Sequence, residues 1–332
     1  MMATQTSKAL SRFYGQNVKV AINRYCSRQM STMTSTLSVP QHTPRSSETK
    51  GFSTAVHSDD TYASPQDIEH LGALFDAFER QQFNQGQNNA VATEMNLVEA
   101  ASAAKDVESF DKVLILMRPG EGQHSVFEEK WANAGNDPEE ATLSQDYPRD
   151  PLLSSKGVGQ VLNISRASAE YCNEETGLVP ELYVTSPLRR AIQSALLAFP
   201  TEAPGSVHNV PWICHGGCME RANGNLADLV STTDELEHFF PGLDYSLYNQ
   251  TVDSNMANRL SGESLLESKM DLLQRTDDFL EWIKRREERV IVVSSHLSWL
   301  QSFLGFTLQH EPEYQTTDAF KRGEMKAVGI KF

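Results

Sequence analysis

Three apolar runs in this chain each end on residues able to hold an anion or move a proton. Val113–Met117 ends on Arg118. Leu182–Ser186 is followed by Arg189 and Arg190. Val290–Val293 leads to Ser294, Ser295 and His296. Arginine offers a planar fork of donors to a doubly bonded oxyanion, and histidine is the side chain most easily switched between charged and neutral forms. Singly, each has a bland reading. Arg118 is a cap after a strand, Arg189 and Arg190 lie on a solvated helix face, and His296 is an ordinary strand-end histidine. Cys214 and Cys218 flank His215 at a spacing that fits no standard zinc pattern, so no metal is expected there.

The elements that must position these groups can be read from periodicity. Uninterrupted apolar runs of five or so residues are strands covered on both faces. Between them come helical patterns: after Ser155 through Val161, Ile164 and Ala167; over Leu188–Phe199, stopped by Pro200; and after Gly262 through Leu265, Leu266, Leu272, Leu273, Phe279 and Ile283, the longest of them. Alternating strands and helices give a three-layer α/β/α sandwich around a mainly parallel sheet. Ligands bind such sheets at the carboxyl ends of the strands, where the polar groups lie.

Upstream, Ile68, Leu71, Leu74, Phe75 and Phe78 predict an amphipathic helix over Pro65–Phe83, and a second helix is expected over Ala90–Ala104. The expected organisation is therefore a leader over 1–50, a linker with a helical addition over 51–109, and the main domain over 110–332. The leader reading rests on charge. Seven basic residues against one acid, Glu48, give residues 1–50 a charge of +6, which leaves −21 on the rest of a chain whose net charge is −15. That composition, with Arg24-Tyr25-Cys26-Ser27 as a processing site, predicts organelle targeting, mitochondrial ahead of plastid, with a cytoplasmic location the alternative. The acidic body argues against nucleic acid and against a membrane surface as partners, so an anionic ligand would need a local basic pocket. Four cysteines imply no disulfide framework. The sequence carries no statement of oligomeric state.

Five segments, taken in order, carry a resemblance. Arg118-Pro119-Gly120-Glu121-Gly122-Gln123-His124-Ser125 resembles the Arg-His-Gly-Glu-Gly-x-His-Asn signature of the histidine phosphatase (phosphoglycerate mutase-like) superfamily. Asp150–Gly157 with Gln160, Ser186–Ala195, Gly262-Glu263-Ser264 and Val293–His296 are similar to its remaining segments. The resemblance spans residues 111–332. It implies phosphoryl transfer through a phosphohistidine, with Arg118 and Arg190 holding the phosphoryl group, His296 adding charge, and Glu220 as general acid. It implies no cofactor, and a phosphorylated small molecule or phosphoprotein as the partner.

Departures gather at that same site. Pro119 stands where the family has its nucleophilic histidine, and a tertiary amide nitrogen can neither attack phosphorus nor carry a phosphoryl group. Ser125 replaces an Asn, Leu297 a Gly and Met219 an Arg. The expectation is a phosphate-binding protein whose chemistry is lost or impaired. The alternatives are an active phosphatase using His124 or an oriented water, and an interaction scaffold built on the helices over 65–105.

Overall fold

Aliphatic and β-branched residues without a polar member can only be buried on both sides, and the centre of this sheet is made of them. The computed structural model describes residues 90–204, 210–251, 266–310 and 320–332. The expected leader, linker, Pro65–Phe83 helix and Gly262–Ser264 segment lie outside them. The elements run β1 (Val91–Met95), α1 (Leu97–Ala103), β2 (Lys112–Met117), α2 (Gln123–Asn133), α3 (Ser155–Tyr171), β3 (Leu182–Thr185), α4 (Arg189–Ala198) and β4 (Trp212–Cys214). Then follow α5 (Thr233–Phe239), α6 (Ser246–Thr251), α7 (Lys269–Lys284), β5 (Val290–Ser294), α8 (Leu297–Ser302), β6 (Gln309–His310) and β7 (Met325–Lys331).

Among the described residues seven strands form one sheet in the order β4-β3-β5-β2-β7-β1-β6. Neighbours are parallel except at β7, which runs antiparallel to both β2 and β1. All of β2 and β5 is buried. Alternate residues face opposite layers. Leu114, Leu116, Leu182, Val184, Ile291 and Val293 join Phe279, Leu280 and Ile283 of α7 and Trp299 and Leu300 of α8 in one core. On the other side Tyr183 stacks on Trp212 and meets Phe199 at the end of α4. Helices on both faces of a mainly parallel sheet make the expected three-layer sandwich.

Register decides where the site lies. Ser294 at the end of β5 is level with Met117 of β2 and with Thr185 of β3. The three chains therefore leave the sheet side by side, carrying Arg118, Ser186 and Ser295 outward together.

Two expectations are corrected. The helix expected over Ala90–Ala104 is a strand and then a short helix. Asn96 interrupts it as a cap: its side chain accepts from the N–H groups of Val98 and Glu99, and Glu99 accepts from the Asn96 N–H. Because β1 pairs with β7 and β6, the sheet begins before residue 110, with Val91–Met95 as one of its strands. Among the described residues the helix carrying Leu272 starts at Lys269, capped by Ser268, and its 16 residues are one fewer than the 17 of α3. Leu266 lies outside it, exposed.

Candidate functional site

The carboxyl ends of β2, β3 and β5 meet the first turn of α4 and the segment after β4, and most of the expected residues come together there. Arg118 follows β2, where its backbone N–H donates to Glu324 O at 2.9 Å and its Nη1 donates to Phe320 O at 2.5 Å. Arg190 is buried in the first turn of α4. Its Nη2 donates to Asp228 Oδ1 at 2.7 Å and its Nη1 to Ala227 O at 2.8 Å. Five N–H donors per guanidinium leave both arginines with capacity for a ligand. His296 is buried after β5, its Nε2 2.9 Å from Ser186 Oγ, so one hydrogen bond ties the ends of β5 and β3. Glu220 is half-buried, and its Oε1 accepts from the Arg221 N–H at 2.9 Å.

Burial sets the charges. It lowers the Arg118 pKa to about 10, helped by Arg322 and Arg190 and opposed by Glu220, so the group stays cationic at neutral pH. It raises the Glu220 carboxyl, as does Asp228, while the Arg221 N–H, Arg190 and Arg118 pull the other way. It holds His296 well below the ordinary histidine value, with Arg190 and Arg118 adding to the effect. The resemblance has His296 adding charge; here it is neutral. Nor are the two arginines an isolated repelling pair, since Asp228 is bonded to one and Glu220 attracts the other. Two fixed cations beside a carboxyl whose pKa burial raises can hold an oxyanion, and the carboxyl is the group placed to give it a proton.

This yields a pH prediction. In the unfolded chain His296 takes a proton near pH 6.5 and in the folded chain only far below, so the unfolded state binds more protons as pH falls. The cost is absent above about pH 6.5 and grows by about 1.4 kcal/mol per unit below it. Between pH 6.5 and 5, wild type should therefore lose about 2 kcal/mol more stability than His296→Gln in urea unfolding. Asp277, raised to about 6 by burial, slopes the opposite way but equally in both proteins. Parallel stability curves would contradict the assignment.

The segment Asp150–Gln160 is next to the Arg118–Gln123 loop and braces it. Gln160 Oε1 accepts from the Glu121 N–H at 2.8 Å, and the Ser154 N–H and hydroxyl donate to the carbonyl and carboxylate of Glu121. Leu153 is braced in turn by Gln193 Oε1 at 2.8 Å. Gly120 and Gly157 meet backbone to backbone. A Cβ on Gly120 would lie 2.3 Å from Gly157 O, and one on Gly157 would lie 2.1 Å from Glu121 O. Asp150 is buried at φ +39°, a conformation Asp tolerates. Its carboxylate accepts from the N–H groups of Arg189 and Ser231, and its carbonyl accepts from Arg189 Nε. Arg189, whose guanidinium also lies over the Phe239 ring, is thus a partly buried brace and not the solvated residue expected.

Pro119 is buried, and its carbonyl accepts from the Gly323 N–H at 3.0 Å. Ser125 is buried with its Oγ bonded to no protein atom, and His124 Nδ1 is likewise without a partner. His124 packs over Gly122, and burial, then Arg190 and Arg322, lower its pKa to about 3. Leu297 opens α8 directly after His296. Met219 is buried, with its carbonyl accepting from Arg275 Nη1. His215 is structural: its Nδ1 accepts from the Gly217 N–H, and its ring lies against Phe279 and Trp282.

Sequence reasoning missed Asp228, Arg275 and Arg322. Arg275 binds the carbonyls of Gly217 and Met219 and the carboxylate of Glu267, so it shapes the segment that presents Glu220. Its one signal is its place among the polar residues of an amphipathic helix. Asp228 and Arg322 carried no signal, because they reach the site from loops.

Helices on both faces of the sheet, with Arg118, Arg190 and His296 gathered at the carboxyl ends of its strands, define an open α/β protein with its candidate site at the strand ends. The profile of the histidine phosphatase superfamily (branch 1) matches residues 136–320, and the chain belongs to that superfamily. The matched region begins after Arg118 and Pro119. A phosphoglycerate mutase-like protein of Arabidopsis thaliana is 26% identical over 217 residues, which cover 58% of this chain and 73% of the relative. Phosphoglycerate mutase-like protein 1 of the same organism is 26% identical over 224 residues, covering 60% and 73%. The structure of an ecdysone phosphate phosphatase from Bombix mori in complex with tungstate is 14% identical, with a TM-score of 0.43, covering 65% of this chain and 88% of its own.

Proposed function

We propose that this chain binds a phosphate monoester between Arg118, Arg190 and His296 and does not turn it over through a phosphohistidine. The carrying observation is Pro119, buried at the end of β2 beside Arg118, where the resemblance calls for the nucleophile. Its nitrogen is a tertiary amide with no lone pair to give. The rest of the equipment supports binding: two buried or half-buried guanidiniums, a buried neutral imidazole, and a carboxyl whose pKa burial raises. The loop that carries Arg118 is braced from three sides, so the pocket is rigid before a ligand arrives.

A second reading has one observation behind it. His124 is unprotonated at neutral pH, and its Nδ1 has no protein partner, so it is available as a surrogate nucleophile. One comparison separates the two readings: hydrolysis of an aryl phosphate by wild type, Pro119→His and His124→Ala. The leading reading expects turnover only from Pro119→His. Turnover by wild type that disappears in His124→Ala would establish the second.

A further inference from the structure

Where β1 hands over to α1, a groove of about 760 Å³ lies between that junction, the end of α3 and the first residues of β7. Its walls are chiefly apolar, made by Met95, Leu97, Val98, Tyr171 and Met325. Val98 is 61% exposed although it stands in the first turn of a capped helix. A lone exposed valine would need no explanation, but apolar side chains gathered around one concavity mark a docking place. The groove adjoins the loop that carries Arg118, since Glu324, whose carbonyl accepts from the Arg118 N–H, is the residue before Met325.

The chain that leads into β1 brings an apolar surface of its own. Ile68, Leu71, Leu74, Phe75 and Phe78, which lie outside the described residues, recur at helical spacing, so a helix over Pro65–Phe83 would gather them in a stripe about 15 Å long. Only residues 84–89 separate that segment from Ala90, which is buried where β1 begins. Such a tether spans at most about 20 Å, and β1 is about 13 Å from its first residue to its last. The tether is long enough to return the segment along β1 to the groove. It is too short to carry the near end of the segment to β4, about 24 Å away across five strand spacings. The segment is acidic, with Asp67, Glu69, Asp76 and Glu79 against Arg80, and Lys326 stands on the groove's wall.

We propose that the groove between β1, α1, α3 and β7 is the docking site of the chain's own Pro65–Phe83 segment, seated as an amphipathic helix with its apolar stripe inward. Burial of that stripe against Met95, Val98 and Met325 supplies the stability that an isolated helix lacks. The proposal is independent of whether the strand-end pocket binds phosphate.

The test is amide hydrogen exchange across the full chain, with sedimentation measured on the same samples. A helix of this length is marginal alone in water, so slow exchange over residues 68–78 requires docking. Wild type should protect those amides. Val98→Asp, a change at an exposed residue, should speed their exchange about tenfold while the buried amides of β2 and β5 stay protected. Leu143→Asp, at an exposed residue outside the groove, should leave them as in wild type. Phe75→Asp should in turn speed exchange over residues 97–99. Exchange over 68–78 as fast as in an unfolded chain, or unmoved by Val98→Asp, would overturn the proposal. So would a wild-type dimer that Val98→Asp dissociates, because the occupant of the groove would then be a second copy of the chain.

Discussion

Arg190→Ala is expected to lower the unfolding free energy by about 3 kcal/mol and to abolish stabilisation by inorganic phosphate. The first effect comes from Asp228. Its carboxylate is bonded to Arg190 at 2.7 Å, with both side chains about nine-tenths buried. Removing one partner of a buried ion pair leaves a charge in a poorly solvated place, which costs far more than the net gain of forming the pair. The second effect comes from the pocket, where Arg118 alone would remain to meet a dianion. In wild type, phosphate at 100 times its dissociation constant should add about 2.7 kcal/mol of stability. Arg189→Ala is the comparison. Its N–H bond to Asp150 is backbone and survives, so the loss should be about 1 kcal/mol, with the response to phosphate intact. Urea unfolding with and without phosphate measures both quantities. A phosphate response retained in Arg190→Ala would remove that residue from the pocket.

Gly157→Ala should be nearly as damaging, for a reason opposite to helix propensity. Gly157 is the third residue of α3, and in an open helix the change to Ala is worth about 1 kcal/mol of stability. Here the added Cβ would sit 2.1 Å from Glu121 O and 2.7 Å from Glu121 N, backbone atoms that cannot step aside alone. Overpacking of this kind costs about 3 kcal/mol and outweighs the propensity gain. It would also push the Arg118–Gln123 loop off its brace, so phosphate binding should weaken together with stability. Gly159, two residues along the same helix, has nothing within 4 Å of its Cβ position. Gly159→Ala should therefore stabilise by up to about 1 kcal/mol. Variants that behave alike in urea unfolding would show that the close approach of the two loops does not matter.

These two sites also mark what the sequence could and could not disclose. Strands β2, β3 and β5 were legible because each is built on a short apolar run, and the segments after them gave Arg118, Arg190 and His296. The outer strands were not. β4 has three residues and β6 has two, while β7 mixes Lys326, Lys331 and Gly329 with its apolar residues. β1 buries only Ala92 fully and runs into a helix across a single capping residue, so its pattern looked helical throughout. At the site, Gly157 and Gln160 were recognisable as a family segment, but not as the brace of a neighbouring loop. That role exists only through contacts between residues about 40 apart in the chain. Asp228, Arg275 and Arg322 reach the site from distant loops or across a helix, and no local pattern foretells such contacts.

The proposed pocket would bind phosphate yet lack the group that accepts a phosphoryl, since Pro119 stands at that position. The most direct test is covalent labelling of the full chain by a phosphorus-labelled aryl phosphate, followed with turnover, for wild type and Pro119→His. Wild type should acquire no acid-labile label and release no phenol above background, while Pro119→His should do both. Labelling of wild type at a rate comparable to the variant would contradict the account, and His124 would then be the residue to change.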